Sequence, residues 1–305
     1  MLPRVTIVSP CYNHSRYIID HLESVRRQDY PNIEHIIIDD ASTDDSATLI
    51  GNWITETGHS CTFIRHERNR GICASLNESI DIATGEFWGH VGTDDILPAN
   101  RTTVMADFLC DNPDAPMVTA DAVIIDSEGR ETEVRGERSA FRSYLKFHPA
   151  FEEEELGTFR SIFLANYFPT WLLRRSVFEK VGRFDERLRL EDWDMWLRIS
   201  DIAKIPFIDE PLLYYRWHSS NASGNNPFMQ RQQMLTRTLN YPRAKNHVEP
   251  ELLRKIMLGQ FHDSVSNTKN LANLIAWLKS PARHIVFPAL VDYIGNLLAH
   301  RLRRR

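Results

Sequence analysis

Two aspartates, Asp94 and Asp95, stand side by side in the stretch FWGHVGTDDILPAN, between an apolar run and a helix-like segment. Adjacent like charges there can simply close a surface turn. They can also hold a divalent cation, because Mg2+ and Mn2+ prefer carboxylate and phosphate oxygens and can neutralise a diphosphate. A second acidic pair, Glu191 and Asp192, opens the segment EDWDMWLRIS. Acidic groups at a helix start complement its dipole. A carboxylate in that place can equally serve as a general base toward a hydroxyl. His218 closes the run PLLYYRWH beside the polar SSNASGNN; it is either structural or the border of a functional loop.

The elements that must position these groups alternate. Val5 to Pro10 is mostly apolar and β-branched, as a strand covered on both faces should be. Residues 16–28 place Tyr17, Ile18, Leu22 and Val25 on one helical face. Glu34 to Ile38 reads as a second strand ending in Asp39 and Asp40, with Ser42 or Thr43 available to cap the next helix. CTFIRH is a short third strand, NRGICASLNESIDIAT a loop entering a helix with Gly85 as its C-cap, and EFWGHVG a fourth strand. This alternation predicts a parallel, twisted α/β sheet, whose ligands sit at the carboxyl ends of the strands. Residues 11–13, Asp39 with Asp40, residues 65–71, and Asp94 with Asp95 all fall at such ends.

Further along, Met117 to Ile125 and Thr170 to Leu173 read as strands, and a helix begins near Asp192 with Trp193, Trp196, Leu197 and Ile199 inward. Asp194 and Arg198 are spaced as a surface ion pair, and KIPFIDEPLLYYRWHSS reads as strand, turn, strand. The acidic run Glu152 to Glu155 reads as a solvated loop face. The segment after residue 225 is mainly helical, with a break expected near Pro242. It ends in an apolar run interrupted by Pro288 and Asp292 and closed by four arginines among the last five residues. That run is a packing segment or a basic-ended helix lying on a membrane surface, not a span.

The 305 residues, 42% hydrophobic and 25% charged, fit one large domain with a smaller addition. A net charge of -5 gives no reason to expect nucleic acid as a partner. The four cysteines show no CxxC and no zinc spacing, and Cys11 reads as a packed hydrophobe. With no signal-peptide apolar region at the start, the expected setting is cytoplasmic. Neither GxGxxG nor GxxxxGK[ST] follows the first strand, whose turn is PCYNHS. Phosphates must be held some other way, and a metal at Asp94 would do it.

The segments VTIVSPCYNHSRYI, SVRRQDYPNIEHIIIDDASTD, RNRGICASLNESIDIATGEFWGHVGTDDILP and VGRFDERLRLEDWDMWLRIS, in this order from residue 4 to about 218, resemble the family 2 glycosyltransferases. The resemblance implies a GT-A fold: one Rossmann-like mixed sheet flanked by helices, here with a helical C-terminal extension. It implies a catalytic domain over 1–222, with a nucleotide-sugar half at 1–98 and an acceptor half at 99–222, and a helical region over 223–305. By the same resemblance Pro10, Tyr12 and Asn13 would line the nucleotide pocket. Asp40 would accept from the base, with Asp39 beside it. Arg65 or Arg70 would approach the diphosphate, and Thr93 and Glu191 would complete the pocket. Asp94 would take the metal position, helped by His218, and Asp192 would be the catalytic base.

The family's Asp-x-Asp-Asp reads Gly92-Thr93-Asp94-Asp95 here, so the first carboxylate is missing. The implied chemistry is a single inverting displacement. Mg2+ or Mn2+ would neutralise the leaving diphosphate, so no side-chain nucleophile is needed. A nucleoside-diphosphate sugar, UDP-linked before dTDP or GDP, is the expected donor. A glycan or lipid-linked glycan is the expected acceptor, in surface polysaccharide assembly, with peripheral membrane contact through the C-terminal region. A sugar-nucleotide pyrophosphorylase would need a Lys- and Gly-rich loop after the first strand. A non-catalytic binding protein would not need Asp192.

Overall fold

A computed structural model of the chain describes residues 2–134, 136–145, 155–218, 227–266, 271–289 and 291. The chain divides into two compact units, 1–219 and 220–305. In the first, strands β1 (Val5–Cys11), β2 (Ile33–Asp39), β3 (Thr62–Arg65) and β4 (Phe87–His90) are joined by helices α1 (Ile18–Arg26), α2 (Ser46–Thr57) and α3 (Ile72–Ile82). There follow α4 (Arg101–Asp111), β5 (Met117–Ile125), α5 (Ala140–Leu145), α6 (Phe159–Leu164), β6 (Thr170–Arg174), α7 (Val177–Val181), α8 (Glu191–Ser200) and β7 (Phe207–Arg216). The seven strands form one sheet in the order β3-β2-β1-β4-β6-β5-β7. The first four in sequence are mutually parallel, and β6 runs antiparallel to both its neighbours, β4 and β5. Two reversals cancel, so β5, and β7 parallel to it, run the same way as β4. The ends of β1, β2, β3, β4 and β7 therefore open on one edge of the sheet.

Every residue of β1 is buried, as its β-branched composition predicts. The inward face of α1 is Ile18, Leu22 and Val25, and the buried face of α8 carries Trp193, Trp196, Leu197 and Ile199. Burying side chains of this size stabilises by roughly 1.5–3 kcal/mol each, which holds α8 and its acidic first turn in place.

Several local expectations are corrected. β7 is one strand of ten residues, not two around a turn. Ala120 pairs with Ile208 while Asp121 pairs with Pro211, so residues bulge out where the proline has no amide to give the ladder. Asp194 and Arg198 form a buried pair at 2.9 Å, not a surface pair. The Arg198 guanidinium also donates to the Val181 carbonyl and so ties α7 to α8. α2 begins at Ser46, and neither Ser42 nor Thr43 caps it; Asp44 instead accepts from the Ser46 and Ser15 amides. Gly85 is not the cap of α3, which is Ala83. A Cβ at Gly85 would lie 2.4 Å from the Thr6 hydroxyl, so glycine there permits close backbone approach.

The second unit contains α9 (Pro227–Ala244), α10 (Pro250–Phe261), a π-helical turn (His262–Ser266) and α11 (Leu271–Lys279). α9 does not break at Pro242, which sits in its last turn, where the lost hydrogen bond interrupts almost nothing. Among the described residues no helix is long and apolar enough to cross a membrane. Glu152 to Glu154, the segment 219–226, Asp292 and the terminal arginines lie outside the described residues.

Candidate active site

The loop after β1 is locked to the loop after β2. Asn13, in the left-handed region at φ 59°, accepts on its side-chain oxygen from the Thr43 amide at 2.8 Å, and its own amide donates to Ser42 Oγ. Tyr12, between these anchors, is exposed. Pro10 offers its carbonyl to the Thr93 hydroxyl at 3.2 Å. With that proton given away, Thr93 Oγ1 must accept from His14 Nδ1, 2.7 Å distant.

The two aspartates at the end of β2 are held differently. Asp40 commits both oxygens to its own chain: Oδ1 lies 2.7 Å from His66 Nδ1 and accepts from the Arg70 amide, and Oδ2 accepts from the Gly71 amide at 2.7 Å. Asp39 accepts from the Ser42 amide on Oδ2, and its buried Oδ1 has no hydrogen-bond partner among the described residues. Among the described residues, an oxygen without any hydrogen-bond partner is thus found on Asp39, while both oxygens of Asp40 already accept one or more. Arg65 is exposed at the end of β3, in register with Asp39. The Arg70 guanidinium pairs with Glu78 on α3.

The next turn brings the two halves of the unit together. Gly71 has φ 88°, and a Cβ there would fall 1.5 Å from Arg189 Nη1, so the Arg189 guanidinium lies directly on the glycine. The Cys73 thiol donates to the Leu188 carbonyl beside it. Two residues further on, α8 starts with Glu191 and Asp192. Glu191 approaches His90, at the end of β4, to 3.7 Å.

Asp94 and His218 meet at the shared sheet edge, with Oδ2 and Nε2 3.2 Å apart. Burial alone would raise the Asp94 pKa; the His218 hydrogen bond and the nearby His14 outweigh it and leave the carboxyl below its ordinary value. Asp95 is the opposite case, raised well above its ordinary value by burial and then by the charge of Asp94. Its Oδ1 accepts from the Arg216 amide at 2.8 Å, while Arg216 Nε donates to the Asp94 carbonyl at 2.7 Å. The Arg216 guanidinium also lies 4.7 Å above the Tyr17 ring, and that ring packs on His218. At Gly92 a Cβ would sit 2.7 Å from Asp94 Oδ1. The space of the missing first side chain is therefore filled by the Asp94 carboxylate itself.

At α8, burial and then the charge of Asp192 push Glu191 up to about 8. Burial also lifts Asp192 to about 6, against the Trp193 amide, which donates to its Oδ1 at 2.7 Å. Asp192 thus both accepts a helix-start amide and keeps a proton affinity close to neutral pH. Burial pushes the Cys11 thiol up to about 11, which suits a packed hydrophobe and not a nucleophile.

Among the described residues no cluster of three or more His, Cys, Asp or Glu could hold a metal ion. The donor set at the sheet edge is one carboxylate and one imidazole. The carboxylate suits Mg2+ or Mn2+, ions that take few protein ligands and complete their shell with water and ligand phosphates, while the imidazole is the less usual donor for them. Nothing in the local spacing of His14, His66, Arg189 and Arg216 announces their contacts, which reach 26 to 199 residues along the chain. The one available signal was polarity: Arg216 is charged within an otherwise apolar strand end.

The sequence model for glycosyl transferase family 2 matches residues 6–182. The chain is 28% identical over 218 residues to an uncharacterised glycosyltransferase of Methanocaldococcus jannaschii, covering 70% of this chain and 71% of that protein. The corresponding match to a Rickettsia felis relative spans only 35% of that protein's length. Among solved structures, S. aureus TarS residues 1–349 in complex with UDP-GlcNAc superposes with a TM-score of 0.61 at 19% identity, over 86% of this chain and 73% of that one. The mannosyltransferase PcManGT of Pyrobaculum calidifontis, in complex with GDP-Man and Mn2+, gives 0.59 at 18% identity over 99% and 81%. These likenesses show the GT-A fold.

Proposed function

The chain belongs to glycosyltransferase family 2, and we propose that it transfers a sugar, with inversion, from a nucleoside-diphosphate donor to a hydroxyl of a glycan or lipid-linked glycan. The observation that carries this reading is the opposed setting of two carboxylates at one sheet edge. Asp94, beside His218, is held ionised; Asp192, beside Glu191, is lifted to about 6. Environments that push titratable groups apart mark an assignment of roles.

Asp192 takes the proton of the acceptor hydroxyl, and that oxygen attacks the anomeric carbon from the face opposite the leaving diphosphate. Glu191, protonated near neutrality, spares the base a second negative charge. Asp39 Oδ1 receives a donor from the base, while Asp40 holds the 66–71 loop. Tyr12 and Pro10 line the nucleotide, Asn13 and Thr93 fix its floor, and Arg65, exposed at the end of β3, turns toward the diphosphate. Asp94 and His218 would hold Mg2+ or Mn2+, which when bound neutralises the charge of the leaving group. A UDP-sugar remains the favoured donor, while the fold itself is shared both with TarS, solved with UDP-GlcNAc, and with PcManGT, solved with GDP-Man. Surface polysaccharide assembly at the inner face of the membrane is the proposed setting.

Asp192→Asn tests the base. Donor binding should be retained while turnover falls by about 10²–10⁴-fold, and wild-type kcat/KM should rise with pH through about 6, where the base loses its proton. Unchanged turnover in Asp192→Asn would remove Asp192 from the reaction.

A further inference from the structure

Beneath β1 runs a row of polar side chains that the transfer reaction does not use. Ser9 Oγ lies 2.7 Å from His21 Nε2 and 2.9 Å from His35 Nε2. His35 Nδ1 is 3.1 Å from His59 Nε2, and His21 Nδ1 is 2.9 Å from the Asp95 carbonyl oxygen. Ser9, His21 and His35 are fully buried, and His59 is half-buried at the outer end. Burial lowers His21 to about 4 and His35 well below its ordinary value, so both rings carry one proton each.

One proton per ring fixes every tautomer. A carbonyl only accepts, so His21 carries its proton on Nδ1. His21 Nε2 is then an acceptor, to which the Ser9 hydroxyl donates. Ser9 Oγ must in turn accept from His35 Nε2–H. That leaves His35 Nδ1 as an acceptor for His59 Nε2–H. The row has a single direction, from His59 to the carbonyl of Asp95. It cannot conduct protons into the site, because a carbonyl terminus has no proton to pass on.

The row ends at a loop that is held at several further points by α1 and the turn that follows it. Ser24 Oγ accepts from the Leu97 amide at 3.0 Å and donates to the His21 carbonyl. Gln28 Nε2 donates to the Pro98 carbonyl at 2.7 Å, and its Oε1 accepts from the Thr102 amide and hydroxyl. His21 and Ser24 lie one turn apart on the same face of α1, and Gln28 follows just past its C-terminal end. From the other side Asp95 gives its carboxylate to the Arg216 amide. Asp95 is thus clamped at both its carbonyl and its side chain, and the adjacent Asp94 is left to face His218.

We infer that His59, His35, Ser9 and His21 form a unidirectional positioning relay that fixes the Asp95 carbonyl and, through it, the metal-facing Asp94 carboxylate. These are positioning residues, and the inference rests on the proposed metal role of Asp94. Outer-shell partners of this kind are worth about 10–100-fold in metal affinity.

The first test needs no variant. Long-range 15N–1H correlation spectra of the wild-type protein should show His21 protonated on Nδ1 and His35 and His59 on Nε2. Protonation of His21 on Nε2 would overturn the relay. The second test uses Mn2+ alone as the probe, with affinity read by paramagnetic resonance of the free ion. Ser9→Ala leaves a buried imidazole acceptor and a buried imidazole donor without their hydroxyl. It should weaken Mn2+ binding about tenfold with the thermal transition still cooperative, and Ser9→Thr, which keeps the hydroxyl, should restore affinity to within about twofold. Equal Mn2+ affinity in wild type and a folded Ser9→Ala would overturn the positioning role while leaving the transferase reading intact. A wild type that binds neither Mn2+ nor any nucleotide sugar would overturn both.

Discussion

At the scale of residues, the site is built from carboxylates that the fold has made unlike one another. Asp94 and Asp95 are neighbours in sequence, yet one is held ionised by His218 while the other is buried and pushed toward its neutral form. Glu191 and Asp192 repeat the pattern, with Glu191 at about 8 and Asp192 at about 6. The sign of the stability effect follows. Glu191 binds its proton more tightly in the folded chain than its ordinary value of 4.5 allows, so folding is favoured below that value. This advantage is lost as pH rises toward about 8. Glu191→Gln, which has no proton to lose, should therefore show a thermal midpoint that declines less between pH 5 and pH 8.5 than that of the wild type, by a few degrees. Parallel declines would mean that Glu191 is ionised in the folded protein. The residue types of this site were legible in the sequence: Asp94 and Asp192 stand out as acidic groups at strand and helix ends. Their partners were not. The choice of Asp39 over Asp40 as the carboxylate with an open oxygen depends on the 66–71 loop turning back to donate two amides to Asp40. No periodicity encodes that return.

At the scale of elements, the N-terminal strand and helix order was readable because β1, β2 and β4 are short apolar runs punctuated by turn residues. β7 was misread because Pro211 and the charged Asp209 and Glu210 look like a turn. In the sheet they are accommodated as bulges along one strand. The pairing of Asp194 with Arg198 was readable from its spacing, but its burial was not, since burial depends on α7 packing across it. In the second unit, exposed Ile275 and Leu278 lie three apart on α11, and Phe287 and Val291 are also exposed, near the exposed Lys279 and Arg283. Apolar side chains beside cations suit an anionic lipid surface. The full chain should co-sediment with vesicles containing phosphatidylglycerol, and Ile275→Lys together with Phe287→Lys should reduce the bound fraction severalfold. Equal binding of the double variant, or no binding by the wild type, would remove membrane contact from the account.

At the scale of the molecule, a seven-stranded mixed sheet gathers loops from both halves of residues 1–219 along one edge. The antiparallel β6 is what makes this possible, since it restores β5 and β7 to the direction of β4 and so delivers His218 to Asp94. The absence of a glycine-rich phosphate loop in PCYNHS points to a different way of holding phosphates, and the proposed one is a cation held at the sheet edge by Asp94 and His218. The central claim is metal-dependent binding of a sugar nucleotide at that edge. Its most direct test is calorimetric titration of the purified chain with UDP-, dTDP- and GDP-sugars, in Mn2+ and again in excess chelator. The account predicts that one donor class binds in Mn2+, that chelation weakens it at least tenfold, and that Asp94→Asn loses the same increment. Binding of equal strength in chelator and in Asp94→Asn, or no binding of any donor by the folded protein, would contradict it.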